Sequence, residues 1–196
     1  MNLVERVKEI IIKPKVTWET IKGETSTVKD LFTSYAAVLA LIPAVANFIG
    51  LSFIGVSSTI VHYRVPVTSG LVYAVLQYVL TLVGMYVVAF IINALAPSFN
   101  SKKDMPAAVK MAVFSWTPAL IAGVLGIIPA LSPLILLASL YSLYLFYIGL
   151  PILMETPKEK AVPYFAVVIV SSIVVLIVMS YCAALVIRMP SAGILH

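Results

Sequence analysis

Long uncharged runs alternate with short charged islands along this chain. Residues 31–62, 65–101, 111–154 and 161–187 contain no Asp, Glu, Lys or Arg. Each run exceeds the roughly 20 residues that a helix needs to cross the hydrocarbon core of a bilayer. The run 111–154 would extend about 66 Å as a single helix, twice the roughly 30 Å core, so it must turn back on itself. "IIPALSP", residues 127–133, is the expected turn: Pro129 and Pro133 interrupt helical hydrogen bonding, and Ser132 is placed to cap the helix that follows. The pattern therefore predicts five spans, at about 31–55, 69–96, 107–129, 132–154 and 162–187. Barrel strands would need segments of about ten residues alternating in polarity, whereas these runs are apolar all round.

The first 30 residues read differently. In "NLVERVKEIII" Leu3, Val7, Ile10 and Ile11 fall at helical spacing, with Glu5, Arg6, Lys8 and Glu9 mostly opposite, as expected of a helix lying on a membrane surface. Pro14 ends that helix. "TWETIKGE" reads as a second short helix, opened by Thr17 and closed by Gly23, in which Trp18 is expected either to pin the turn at headgroup depth or to pack on the cytoplasmic ends of the spans. The expected organisation is an amphipathic cytoplasmic segment (1–30), a five-helix membrane domain (31–188) and a short non-cytoplasmic tail (189–196), with the first span as an uncleaved anchor. The fold class is all-α, a polytopic membrane helix bundle with short interfacial helices at its N-terminus.

Composition sharpens this reading. The chain of 196 residues is 62% hydrophobic and 11% charged, against about 25% charged residues in soluble domains. With an odd number of crossings and a cytoplasmic N-terminus, eleven of the 13 Lys and Arg residues and all 8 acids fall on the cytoplasmic side, a strong positive-inside bias. The net charge of +5 is then a modest basic collar facing anionic headgroups, not a field suited to nucleic acid. Membrane lipids are the expected partners. The single Cys182 excludes an intramolecular disulfide, and with His62 and His196 it makes no metal-ligand set.

Transporters and intramembrane enzymes usually carry ionisable residues at mid-membrane, and the spans carry none. Lys110 and Arg188 stand at span ends, where long stems can snorkel. No catalytic residues, metal ligands or cofactor are expected, and the chain is read as non-enzymatic. The charged island "METPKEK" predicts a capping box: Thr156 as cap, Pro157 at the first helical position and Glu159 three residues after the cap. Its residues Glu155, Thr156, Pro157, Lys158, Glu159 and Lys160, together with Trp18, Lys102 and Lys103, are the candidate contacts for lipids or a partner.

A second candidate set lies within the spans. Tyr73, Gln77 and Thr81 form one stripe on the second span, and Tyr141 and Tyr144 recur on the fourth. They could form a polar path between those helices, which would suit a small transporter, channel or lipid-translocating protein. As a packing seam they would instead supply interhelical hydrogen bonds. Small residues four apart, Ala36, Ala40 and Ala44 and then Ser115, Ala119 and Gly123, predict close helix contacts within one chain or in homo- or hetero-oligomers. Pro43 and Pro118 should kink their helices.

"PKVTWETIKGE", "TPALIAGVLGIIP" and "LYSLYLFYIGLPILMETPKEKAV" resemble the prokaryotic branch of the Ypt-interacting protein (Yip) domain family, with a likeness covering about residues 14–187. The resemblance implies a five-helix membrane domain with a cytosolic N-terminus. Eukaryotic relatives are associated with small GTPases of the Rab type, with vesicle traffic and with one another as hetero-oligomers. They carry a long cytosolic N-terminal region and an Asp-Leu-Tyr-Gly-Pro element. This chain has only 30 residues there and no such pentapeptide, so GTPase binding is not carried over. The function expected is that of a membrane scaffold or organiser, with the cell membrane as its location in a prokaryote.

Overall fold

The computed structural model describes residues 2–57 and 62–188. Asn2 starts the first helix, α1 (Leu3–Ile12), by accepting from the backbone N–H groups of Val4 and Glu5. Pro14 then fills the first position of α2 (Pro14–Gly23), where its missing donor costs nothing. Thr27 caps α3 (Val28–Leu31) by accepting from the Asp30 N–H. A π-helical turn (Phe32–Ala36) leads into α4 (Ala37–Ile49), and a second (Gly50–Ile54) leads out of it. Two-residue strands β1 (Val56–Ser57) and β2 (His62–Tyr63) pair antiparallel before α5 (Val67–Leu95). Asp104 caps α6 (Met105–Ser115), Trp116 interrupts it, and α7 (Thr117–Ala122) carries Pro118 in its first turn. Short 3₁₀ turns bridge to α8 (Ser132–Leu153), and the last helix is α9 (Lys158–Arg188).

Among the described residues the fold is therefore helical apart from one minimal ribbon, as the pattern requires. By length and composition, four helical segments among the described residues can cross a membrane: Val28–Ile54, Val67–Phe99, Met105–Ile127 and Pro129–Leu153. Their bounds lie close to the first four expected spans. The expected turn forms at 128–131, where Ile128 is extended ahead of Pro129. Ser132 does not cap α8, however; its hydroxyl donates back to the Pro129 carbonyl. The expected tail (189–196, with His196) and the side chains of His62 and Cys182 lie outside the described residues.

Lipid gives helices no hydrophobic reason to associate, so they pack through close backbone approach and hydrogen bonds. The small-residue faces do this within one chain. Ala36, Ala40 and Ala44 are buried, and α4 lies against the 3₁₀ turn Gly123–Ile127. A Cβ at Gly50 would stand 2.1 Å from the Gly126 carbonyl oxygen, and one at Gly123 would stand 2.6 Å from the Pro43 ring. Asn47 fills the remaining gap: a Cβ at Gly126 would stand 2.2 Å from its Oδ1, and its Nδ2 donates to Gln77 Oε1 of α5 at 3.2 Å. Tyr35 of the Phe32–Ala36 turn joins Thr117 of α7 through their hydroxyls at 2.9 Å.

The N-terminal helices differ most from expectation. Their apolar faces, expected to rest on a membrane surface, are covered largely by protein: α1 packs on α2 and α7, and α2 packs on α8. Ile10, Trp18 and Ile21 are 0% exposed. Of the two positions expected for Trp18, packing against the spans is the one observed. Its indole lies edge-on to Phe114, and its Nε1–H donates to the Leu145 carbonyl at 3.2 Å. Gly149 makes room for it, since a Cβ there would come within 2.9 Å of the indole and 2.7 Å of the Met111 sulfur. The sequence left both positions of Trp18 open because amphipathicity shows that a face is apolar without showing what covers it.

Replacement of Gly50 by Ala should lower the thermal unfolding midpoint of the detergent-solubilised protein by several degrees, because the added carbon meets backbone that cannot yield. Gly23→Ala, with nothing within 4 Å of the new carbon, should be neutral or raise it, since Ala in a helix is favoured by up to about 1 kcal/mol. Equal midpoints for the two variants would contradict the close approach of α4 to the 123–127 turn.

Candidate functional site

Charged residues other than Arg64 and Arg188 gather at one end of the bundle, where the carbonyl end of α2, the segment 24–30, the start of α6 and the α8–α9 loop meet. Helix α2 ends with the Glu24 N–H donating back to the Ile21 carbonyl at 3.4 Å, and the carbonyls of a last helical turn need further donors. Lys110, 7% exposed, supplies them: its ammonium donates to the Ile21 carbonyl at 2.9 Å and to that of Glu24. Lys110 therefore reaches into the protein to cap α2 and does not snorkel to the membrane surface. Arg6, also buried, pairs with Glu24 and stands 3.4 Å from Glu9. Tyr141 completes the attachment of the hairpin by donating from its hydroxyl to the Ile11 carbonyl at 2.7 Å.

The two loops at this end are tied together. The Lys102 N–H donates to the Met154 carbonyl at 2.8 Å, and the Ser101 hydroxyl donates to that of Thr156 at 2.9 Å. Asn100 and Glu155, with φ of 53° and 52°, take the left-handed conformation that turns each loop sharply. Thr156 is therefore spent on Ser101, is nearly buried, and does not form the expected capping box; α9 begins at Lys158.

A cleft of about 620 Å³ opens among these segments, walled by Lys22, Glu24, Asp30, Lys102, Asp104 and Glu155. Lys22 pairs with Glu155 across it at 3.2 Å, and Lys102 pairs with Asp104 at 3.3 Å. Both pairs are solvent-exposed, so each is worth at most about 1 kcal/mol and can exchange partners. A neighbouring groove of about 530 Å³ runs between α2, α8 and α9, with Lys15, Glu19 and Lys158 over an apolar floor that includes Val16 and Pro151.

The expected contact residues thus divide. Lys102 and Glu155 line the cleft, Lys158 lines the groove, and Lys103, Pro157, Glu159 and Lys160 are exposed beside them. Trp18 and Thr156 are buried and cannot touch a lipid or partner. Lys110, Arg6 and Glu24, which build the frame, were missed. The available signal was the pairing of a C-terminal helix stop at Gly23 with a lysine inside an apolar segment.

The intramembrane residues do not converge. Gln77 bonds Asn47 of α4, Thr81 donates to the Gln77 carbonyl of its own helix at 2.8 Å, and Tyr73 is 40% exposed. Tyr141 turns to Ile11 of α1, and Tyr144 lies against Tyr141 with ring centres 5.7 Å apart. Helix α6 packs against both α5 and α8, and no hydrogen bond joins the two groups among the described residues. Nor, among those residues, do three or more His, Cys, Asp or Glu side chains come together to hold a metal ion.

The sequence profile of the Yip1 domain matches residues 8–179. Two relatives, each called inner membrane protein YohC, one from Escherichia coli K12 and one from Escherichia coli O6:H1, are 27% identical over 173 residues, covering 83% of this chain and 86% of their own. No solved structure matches the chain.

Lys110→Met should destabilise the protein by about 1.5–3 kcal/mol, the worth of hydrogen bonds to a charged group. It should also make the segment 24–30 several-fold more sensitive to protease, while Lys103→Met leaves both unchanged. Limited proteolysis in detergent distinguishes them, and equal sensitivity would mean that the ammonium does not hold the end of α2.

Proposed function

The chain belongs to the Yip1 domain family and is a multi-pass membrane protein, and on that premise we propose that it is a non-enzymatic scaffold that docks a partner polypeptide in the cleft at its charged end. The carrying observation is the construction of that cleft. Acids and bases from three stretches remote in sequence, 22–30, 102–110 and 153–155, are held in one place by buried frame residues, while the paired wall charges stay exposed and exchangeable. A surface that carries both signs favours a complementary charged segment and selects its register. The adjoining groove, with lysines above an apolar floor, suits contact with lipid headgroups. Because Ala36, Ala40 and Ala44 are consumed within the chain, association with further copies would use the outward faces of the helices. A solute path between the second and fourth helices has weaker support, since its polar residues bond elsewhere.

In the same reading α9 is a fifth crossing. It runs for 31 residues, about 46 Å at about 1.5 Å per residue, and turns Val162, Val170, Val174 and Ile177 outward. The N-terminus and the cleft then lie in the cytoplasm, and the segment after α9 lies outside.

Two measurements test these points. In-cell crosslinking from a photoreactive residue at position 103 should recover a discrete partner; Lys22→Glu or Glu155→Lys alone should reduce recovery several-fold, and the double exchange should restore it. Recovery indifferent to either reversal would remove the cleft from the function. For the topology, single cysteines at positions 13 and 191 in a Cys182→Ala background should react differently with an impermeant maleimide on intact cells, only the second being labelled. Labelling of both from the same side would exclude an odd number of crossings.

A further inference from the structure

A separate cavity of about 320 Å³ lies between α5, α6, α8 and α9, away from the charged end. Ser115 on its wall is ten residues into α6, about 15 Å from the start of that helix at about 1.5 Å per residue, close to the middle of a roughly 30 Å core. No charged residue lines the cavity; its walls are apolar, including Val88 and Phe146, and broken by four serines.

Those serines are not equivalent. Ser139 and Ser172 return their hydroxyls to the Ile135 and Val168 carbonyls of their own helices, the ordinary way for serine to settle in an apolar helix. Ser115 does not. It is 2% exposed, and its hydroxyl has no hydrogen-bond partner. Ser142 accepts from the Ala119 N–H at 3.2 Å, which leaves its own hydrogen to be donated. The helix interruption at Trp116, which also lines the cavity, brings Ala119 N–H to Ser142 and opens the space beside Ser115.

We propose that this cavity binds an uncharged, largely apolar molecule bearing a carbonyl acceptor, taken up from the bilayer between α8 and α9. Charge is excluded by a wall that has none to offer, and a charged ligand would face a heavy desolvation cost there. Water suits the space poorly: the volume corresponds to about ten waters, each needing two to four polar partners, against two hydroxyls with bonds to spare. What those hydroxyls share is an available O–H, so the matching group is an acceptor such as a ketone, ester or quinone oxygen. The volume falls at the small end of the about 300–1,000 Å³ typical of ligand pockets. On the side toward α9, Ile173 is half exposed, giving an entrance from the hydrocarbon. This inference does not depend on the docking cleft.

Benzophenone supplies a ketone of suitable size that also crosslinks on irradiation. With the full chain in detergent, its labelling should saturate and map to peptides carrying Leu143, Phe146 or Ile169. Fluorenone should compete, and diphenylmethane, of similar bulk but without the carbonyl, should compete poorly. Ser115→Ala should weaken half-saturation by about fivefold, the fold-change of one ordinary hydrogen bond, and Ala119→Leu should abolish labelling by filling the space. Labelling unchanged in Ser115→Ala, or equal competition by diphenylmethane, would overturn the proposal even if Ala119→Leu blocks access. So would adducts spread without saturation over the lipid-facing side chains. Ser115→Ala removes a buried unbonded hydroxyl and so should fold, which keeps the test decisive if the bulkier variant does not.

Discussion

The seating of Trp18 against Gly149 is the contact on which the arrangement of this protein depends. Burial of one indole removes about 150–250 Å² from water, worth about 4–6 kcal/mol at about 25 cal/mol per Å². A gain of that size belongs to a side chain that leaves water; two helices already in lipid would gain nothing comparable. Driven home, the indole places α2 across α8 and brings Ile21 and Glu24 over Lys110. The buried ammonium then has carbonyls to hold, and the segment 24–30 has a fixed start from which to wall the cleft.

Within the apolar part of the bundle a different economy applies. Contact there comes from the absence of side chains: Gly50 on Gly126 and Gly123 on Pro43 bring backbones together, and the Asn47–Gln77 and Tyr35–Thr117 pairs satisfy polar groups that lipid could not. Prolines at 43 and 118 belong to this scheme. Pro43 offers Gly123 a flat surface, and Pro118 accompanies the interruption at Trp116 that separates α6 from α7. The same interruption leaves room for a cavity beside Ser115, so a packing irregularity and a binding site share one cause.

Membership of the Yip1 domain family joins this chain to bacterial inner membrane relatives of nearly the same length. Here the N-terminal 30 residues are largely consumed as a structural brace: Ile10, Trp18 and Ile21 face inward and Arg6 is paired with Glu24. The charges left exposed at this end form a rim of mixed sign around Lys22, Lys102 and Glu155.

Sequence alone settled the features that depend on one residue at a time. Hydrocarbon excludes charge and demands internal backbone bonding, so apolar runs had to be helices, the overlong run had to turn near Pro129, and the charged islands had to mark the ends. It could not show which apolar faces meet. Leu3, Val7 and Ile10 repeat as they would on a lipid surface or on a protein, and a tryptophan is equally at ease at headgroup depth and in a core. Lys110 looked like a snorkelling residue because its partners, the carbonyls of Ile21 and Glu24, lie more than 80 positions away and carry no side-chain signature. Tertiary structure decided those matters, and it separated Gln77 from Tyr141 and left Ser115 unbonded, because contact between helices depends on crossing geometry and steric fit that no local periodicity encodes.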